Sequence, residues 1–208
     1  MTVSKQSKQT RTKAGNGTKQ QGVCKPVSRR TVFKLGLLGG FAMPMSAFGQ
    51  APDRMRPQPG DRLVFEEGPS QGERVRPELL ELNQKPVSAL AQDPATDVLR
   101  DGSRLNRVMI TRIDTDAMSE RYRDNVAAGV IAYSAVCTHT GCDVIDWDAE
   151  ELNMACPCHE SQFDIYDGGR VVGGPAPRPL AMLPLELIDG VVVVAAVFRG
   201  RVGFTQQF

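Results

Sequence analysis

The chain has 208 residues, 41% of them hydrophobic and 24% charged, enough for one compact domain with appendages. Its formal net charge of +1 hides an asymmetry: no acidic residue precedes Asp53, nine basic residues do, and the remainder carries 16 basic against 24 acidic side chains. An acidic body excludes nucleic acid as the natural partner, because phosphate binding needs a basic surface, and it favours a basic docking partner instead.

In chain order, the basic leader ends in Ser28-Arg29-Arg30-Thr31-Val32-Phe33-Lys34, and a mildly apolar run of 14 residues, Leu35 to Phe48, follows it. Crossing a bilayer takes roughly 20 apolar residues, so this run reads as the h-region of a signal segment rather than as a permanent anchor. Paired arginines ahead of a weakly hydrophobic stretch are the pattern of a twin-arginine export signal, and residues 1–49 are assigned to it. The alternative is a plain basic tail. If the segment is not cleaved, it offers a membrane contact.

Residues 50–78 are rich in Pro, Gly and charge, with Leu63-Val64-Phe65 as the one short strand candidate, and read as a linker or extended arm. The folded part is expected at 79–208. Arg107 to Ile113 and Gly129 to Val136 are β-rich, with a short surface helix from Asp116 to Asn125 between them, capped by Asp114 or Thr115. Shorter strands are expected at Val144-Ile145, Leu152 to Met154, Phe163 to Ile165, Val171-Val172 and Leu183 to Leu187. The last, Val191 to Val197, is entered through Asp189-Gly190, a dipeptide suited to a tight hairpin turn. The fold class is therefore mostly β.

Chemistry concentrates in one place. Four of the five cysteines and both histidines fall in Cys137-Thr138-His139-Thr140-Gly141-Cys142 and Cys156-Pro157-Cys158-His159-Glu160-Ser161. Each segment offers a cysteine and a histidine two or three residues apart on a tight loop, so two loops facing one another could bind metal from both sides. Buried structural cysteines, plain disulfides or core histidines do not account for two matched loops. A Cys₂His₂ zinc site is the serious competitor, but it takes four ligands and leaves two cysteines of the same segments unexplained.

The two segments resemble the C-T-H-x-G-C and C-P-C-H-x-S boxes of the Rieske iron–sulfur proteins. The similarity runs over roughly Gly129 to Val194 and includes Gly174-Pro175-Ala176-Pro177, which resembles the loop covering the cluster on its third side. The resemblance implies an antiparallel β-sandwich with a small cluster-binding subdomain at about 137–177. It also implies a [2Fe–2S] cluster held by Cys137 and Cys156 on one iron and by His139 and His159 on the other. Cys142 and Cys158 would then form the disulfide of the exported branches of the family, a bond that persists in an oxidising compartment. Cys24, in the leader, has no part in this scheme.

The implied function is one-electron transfer in the periplasm, as a carrier or as the small subunit of a larger oxidoreductase, passing electrons to a cytochrome-like acceptor. The small subunit of arsenite oxidase is the nearest family type. Folded export through the twin-arginine route would suit a protein that receives its cluster in the cytoplasm. No nucleophile can use a histidine base, because both histidines are committed to metal, so no stand-alone catalysis is expected. The runner-up is the Rieske subunit of a quinol-oxidising cytochrome bc-type complex, with quinol as a further partner. Thr140 weakens it, since quinol-oxidising members usually place a shielding leucine there. A third reading, from another class, is a zinc or disulfide module without redox activity.

Two residues bear on redox poise. Ser161 matches a serine whose hydroxyl donates to a bridging sulfide, which stabilises the reduced, more negative cluster and raises the potential. Phe163 stands where high-potential relatives have a tyrosine that donates to a cysteine sulfur, so that contribution is missing here. Phe163→Tyr is accordingly expected to raise the potential in protein-film voltammetry; a fall or an unchanged value would refute the assignment.

Overall fold

The computed structural model describes residues 50–205; the Arg29-Arg30 signal segment and Cys24 lie outside the described residues. Ten strands are found: β1 (Arg62–Phe65), β2 (Val87–Gln92), β3 (Val108–Arg112), β4 (Val130–Ser134), β5 (Asp146–Asp148), β6 (Asn153–Cys156), β7 (Ser161–Asp164), β8 (Arg170–Gly173), β9 (Leu185–Ile188) and β10 (Val191–Val194). They form two antiparallel sheets, one in the order β4-β3-β2-β1-β10-β9 and one in the order β5-β6-β7-β8. The mostly β expectation holds, with the small sheet as a distinct layer. Among the described residues no helix is long and apolar enough to cross a membrane.

The six-stranded sheet curls until its two ends meet. The amides of Ser134 and Leu183 exchange places across the gap, Ser134 donating to the Ala181 carbonyl at 2.8 Å and Leu183 to the Ala132 carbonyl at 2.9 Å, just before β9 begins. Inside the curl lie Leu63, Phe65, Ala89, Ala91, Val108, Ile110, Val130, Ala132, Val192 and Val194. The opposite face of β3 and β4 presents Met109, Ile131 and Tyr133 to a second core, shared with Met154, Phe163 and Ile165 of the small sheet. Both faces of β4 are therefore buried, which explains why Val130-Ile131-Ala132-Tyr133 reads as a continuous apolar run instead of alternating. Tyr133 donates its hydroxyl to the Ile165 carbonyl at 2.8 Å, and burial pushes its phenol pKa far up.

The hairpin expected at Asp189-Gly190 is present: Val191 pairs with Ile188, and the two turn residues have φ of 52° and 75°. Three other expectations need correction. Residues 50–78 are not a linker, because β1 stands between β2 and β10 inside the large sheet, so the folded body includes this arm. The helix expected from Asp116 to Asn125 is split into a 3₁₀ turn at Thr115–Ala117 and a single α-turn, α1 (Glu120–Arg123). Asp114 caps the first piece by accepting from the Asp116 amide at 3.0 Å, yet the buried Met118 interrupts the two with extended backbone. Instead of Val144-Ile145, the strand at that point is β5, because Val144 turns inward and its amide donates to Ala135 at 2.8 Å. Strand β2, Val-Ser-Ala-Leu-Ala-Gln, carried little sequence signal: beyond Val87 its residues are not strong strand formers, and neighbours on both sides hold it there.

A buried ion pair holds the arm. Asp61, 2% exposed, accepts from the Gln58 amide at 2.8 Å and from Arg100 Nη2 at 2.9 Å, while Arg100 Nη1 donates to the Pro52 carbonyl at 3.0 Å. Asn106 adds a bond from Nδ2 to the Met55 carbonyl at 2.8 Å. Removing one partner of such a pair strands the other charge in the interior. Arg100→Met is therefore expected to cost about 3–5 kcal/mol in urea unfolding, with faster proteolysis of the 50–60 segment. A loss under about 1 kcal/mol would mean that other contacts hold the arm.

Candidate metal centre

The first cysteine–histidine segment leaves the end of β4. Its loop is closed at the base by the Cys137 amide donating to the Cys142 carbonyl at 2.8 Å, and inside by the Gly141 amide donating to the Cys137 carbonyl at 3.2 Å. Gly141 has a φ of +83°, a conformation that glycine adopts without strain. The second segment is the connection between β6 and β7, where Cys156 is paired directly with Ser161 and Pro157 to Glu160 form the turn. Both loops rise from strands that share the second core, and Cys137, Cys156 and Phe163 all belong to it.

The structure brings the sequence-predicted residues together. Cys142 and Cys158 form a disulfide across 16 positions of sequence, tying one loop to the other. Cys137 and Cys156 remain free thiols and are buried. The rings of His139 and His159 face edge to face at a centroid distance of 4.6 Å and an interplanar angle of 83°. The sulfurs of Cys142, Cys156 and Cys158 lie within 4.8 Å of one another, but the disulfide occupies two of them, so this trio is not a three-thiolate site.

The third loop packs backbone to backbone. At Gly174, with a φ of +72°, an added Cβ would stand 2.5 Å from Ser161 Cα and 2.7 Å from the Glu160 carbonyl oxygen, so no side chain fits there. Ala176 is buried in the second core, while Pro175 and Pro177 line a groove beside His139. Thr138, the residue between Cys137 and His139, donates its hydroxyl to the Arg178 carbonyl at 2.7 Å and so fastens the first loop to the end of the third. Arg178 was not visible as a site residue in the sequence, because nothing local distinguishes it from a surface arginine.

Two buried atoms test whether a cluster fits. Ser161 Oγ and His139 Nδ1 are buried and have no hydrogen-bond partner among the described residues. Burial of an unmet donor or acceptor costs about 1–3 kcal/mol, so each calls for a partner. Burial also pushes the Cys156 thiol pKa up; the amides of Cys158 and His159 pull it back, and the adjacent Cys137 thiol raises it again. A cation at the site would favour the thiolate form of Cys156 that a metal needs. Ser161 pairs with Cys156, and a bridging sulfide at the site would give its hydroxyl an acceptor. The residues present therefore fit an iron–sulfur cluster.

Two buried free thiols, two facing imidazoles and an unpartnered serine hydroxyl define the class as one whose loops fit an iron–sulfur cluster with both sulfur and nitrogen donors available. Residues 95–184 match the family model described as Rieske [2Fe-2S] domain, and this part of the chain is a Rieske domain whose cofactor is a [2Fe–2S] cluster. A protein of Haloferax mediterranei named as a respiratory nitrate reductase Rieske subunit is 39% identical over 106 residues, 50% of this chain and 47% of that one. The cytochrome bc1 complex Rieske iron-sulfur subunit of Streptomyces lividans is 37% identical over 83 residues, 39% of this chain and 49% of that one. The cytochrome b6-f complex iron-sulfur subunit of Synechococcus elongatus is 36% identical over 97 residues, 47% of this chain and 52% of that one. The chain thus spans about half the length of these three relatives.

The disulfide closes a loop for which chain entropy gives about 3 kcal/mol of stabilisation. The double variant Cys142→Ala, Cys158→Ala is expected to assemble the site but to lose stability by about that amount, read as a lower temperature for loss of visible absorbance. An unchanged temperature would show that the third loop alone holds the first two together.

Proposed function

We propose that this chain is a one-electron relay in which Cys137 and Cys156 ligate one iron of the cluster and His139 and His159 the other. The observation that carries the reading is the pairing of two buried free thiols with two facing imidazoles, beside a serine hydroxyl that has no other acceptor. When bound, a [2Fe–2S] cluster with this mixed ligation takes up and releases one electron at about −150 to +300 mV. The chain's residues supply the setting. Cys137 and Cys156 sit in the core, where water is excluded, and His159 is exposed on the rim, within reach of a partner. Ser161 offers its hydroxyl where negative charge accumulates.

A larger redox subunit is the natural partner, with a cytochrome-like protein on the other side; the names of the relatives, subunits of nitrate reductase and of cytochrome complexes, support this reading. Export to the periplasm is supported by two independent features, the Arg29-Arg30 signal pattern and the Cys142–Cys158 disulfide, which is stable in an oxidising compartment. Residues 79–208 are proposed as the core of the electron-transfer domain, extended by the arm from residue 50. Quinol oxidation is the second reading, favoured by the similarity to cytochrome bc1 and b6-f subunits. The exposed Thr140, in the place where quinol-oxidising members carry leucine, favours the relay.

The test is the full chain purified from an export-competent host. It should be red-brown, contain iron and acid-labile sulfide in equal amounts, and show a Rieske-type paramagnetic signal on reduction. Cys156→Ser and His159→Ala should each abolish that signal. Colourless protein carrying zinc would reject the reading.

A further inference from the structure

Beyond β10 the chain turns back over the metal centre. Arg199 and Met182 exchange backbone hydrogen bonds of 2.7 and 3.0 Å, and from there the chain passes through Gly200, at a φ of +94°, to the first cysteine–histidine loop. There the Phe204 ring lies against Gly141: a Cβ built on that glycine would meet Phe204 Cδ1 at 2.5 Å and Cε1 at 2.8 Å. The crossing is clamped by Arg178. Its Nη2 donates to the Gly203 carbonyl at 2.7 Å and to Thr205 Oγ1 at 3.3 Å, and its Nη1 donates to the Arg201 carbonyl at 3.1 Å. The same residue accepts from Thr138 through its carbonyl, so one arginine joins the first loop, the third loop and the returning chain. This segment lies outside the residues that match the family model.

The consequence is an asymmetry between the two histidines. His159 is exposed, whereas His139 is half-buried in a groove of about 680 Å³ that it shares with Thr140, Pro175, Pro177, Phe204 and Thr205. Thr140 is small and polar and contributes little apolar cover of its own. Beside Pro175 and Pro177, the aromatic cover of the groove comes from Phe204, more than 60 positions further along the chain than Thr140.

We infer that the segment Arg201–Thr205 is a fourth wall of the cluster site, in which Phe204, held by Arg178, is a positioning residue that keeps water from the His139 loop and thereby lowers the reduction potential. The inference rests on the cluster reading above. Reduction adds one negative charge, water stabilises that charge better than an aromatic ring does, and the apolar surroundings of a metal site control its access to solvent and hence its potential. Removing the ring therefore favours the reduced form.

Phe204 is 39% exposed, so its replacement does not open a core cavity. The experiment compares Phe204→Ala, Phe204→Leu and Arg178→Lys in the full chain loaded with its cluster. The lysine keeps the charge but loses the fork that spans two carbonyls. Phe204→Ala should raise the equilibrium constant for reduction about threefold or more, on a scale where tenfold is about 59 mV for one electron. It should also deepen the deuterium modulation of the reduced paramagnetic signal in heavy water. Arg178→Lys should move both readouts the same way by less, and Phe204→Leu should stay near the wild type. A loaded wild type in which Phe204→Ala leaves potential and deuterium modulation unchanged, or lowers the potential, overturns this inference alone. A wild type that binds no cluster overturns the parent reading and this one with it.

Discussion

Everything at the metal centre depends on β4 being buried on both faces. Val130 and Ala132 pack inside the curled six-stranded sheet, while Ile131 and Tyr133 pack outward against Met154, Phe163 and Ile165 of the small sheet. One strand thus belongs to two cores, and Cys137 stands three residues beyond its end. A rotation of β4 that satisfied one core would expose the apolar side chains of the other. The starting point of the first loop is therefore determined by packing on both sides, and the Tyr133 hydroxyl on the Ile165 carbonyl locks the two layers in register.

On that base, three contacts between residues distant in sequence bring the loops together. The Cys142–Cys158 disulfide joins the first loop to the second, the side-chain-free Gly174 lets the third press on the backbone of the second, and Thr138 ties the first to the third through the Arg178 carbonyl. An electron-transfer centre works best when its ligands are in place before the electron arrives, because motion of the ligand shell adds to the barrier. Redundant ties between loops serve that end. They also explain why the loops can carry so much polar chemistry in a small volume without a regular element of their own.

The returning segment makes the site lopsided. One imidazole faces outward and the other shares a groove with an aromatic ring delivered from the end of the chain. The exposed side suits exchange with a partner, and the covered side suits control of the cluster's surroundings.

The family resemblance was legible in the sequence because its motif is local: a cysteine and a histidine two or three residues apart on a tight loop, repeated once, restrict the chemistry before any fold is known. The hairpin at Asp189-Gly190 was legible for the same reason, since the turn residues carry the required positive φ themselves. Tertiary structure alone decided the rest. The arm at 50–78, rich in proline and charge, became part of the sheet because Asp61 and Arg100 bury their charges against each other and β1 fills the space between β2 and β10. Strand β2 formed from alanine, serine and glutamine because its neighbours supplied the ladder on both sides. The place of Phe204 over Gly141 follows from the same cause, contact between residues whose separation in sequence leaves no periodic pattern to read.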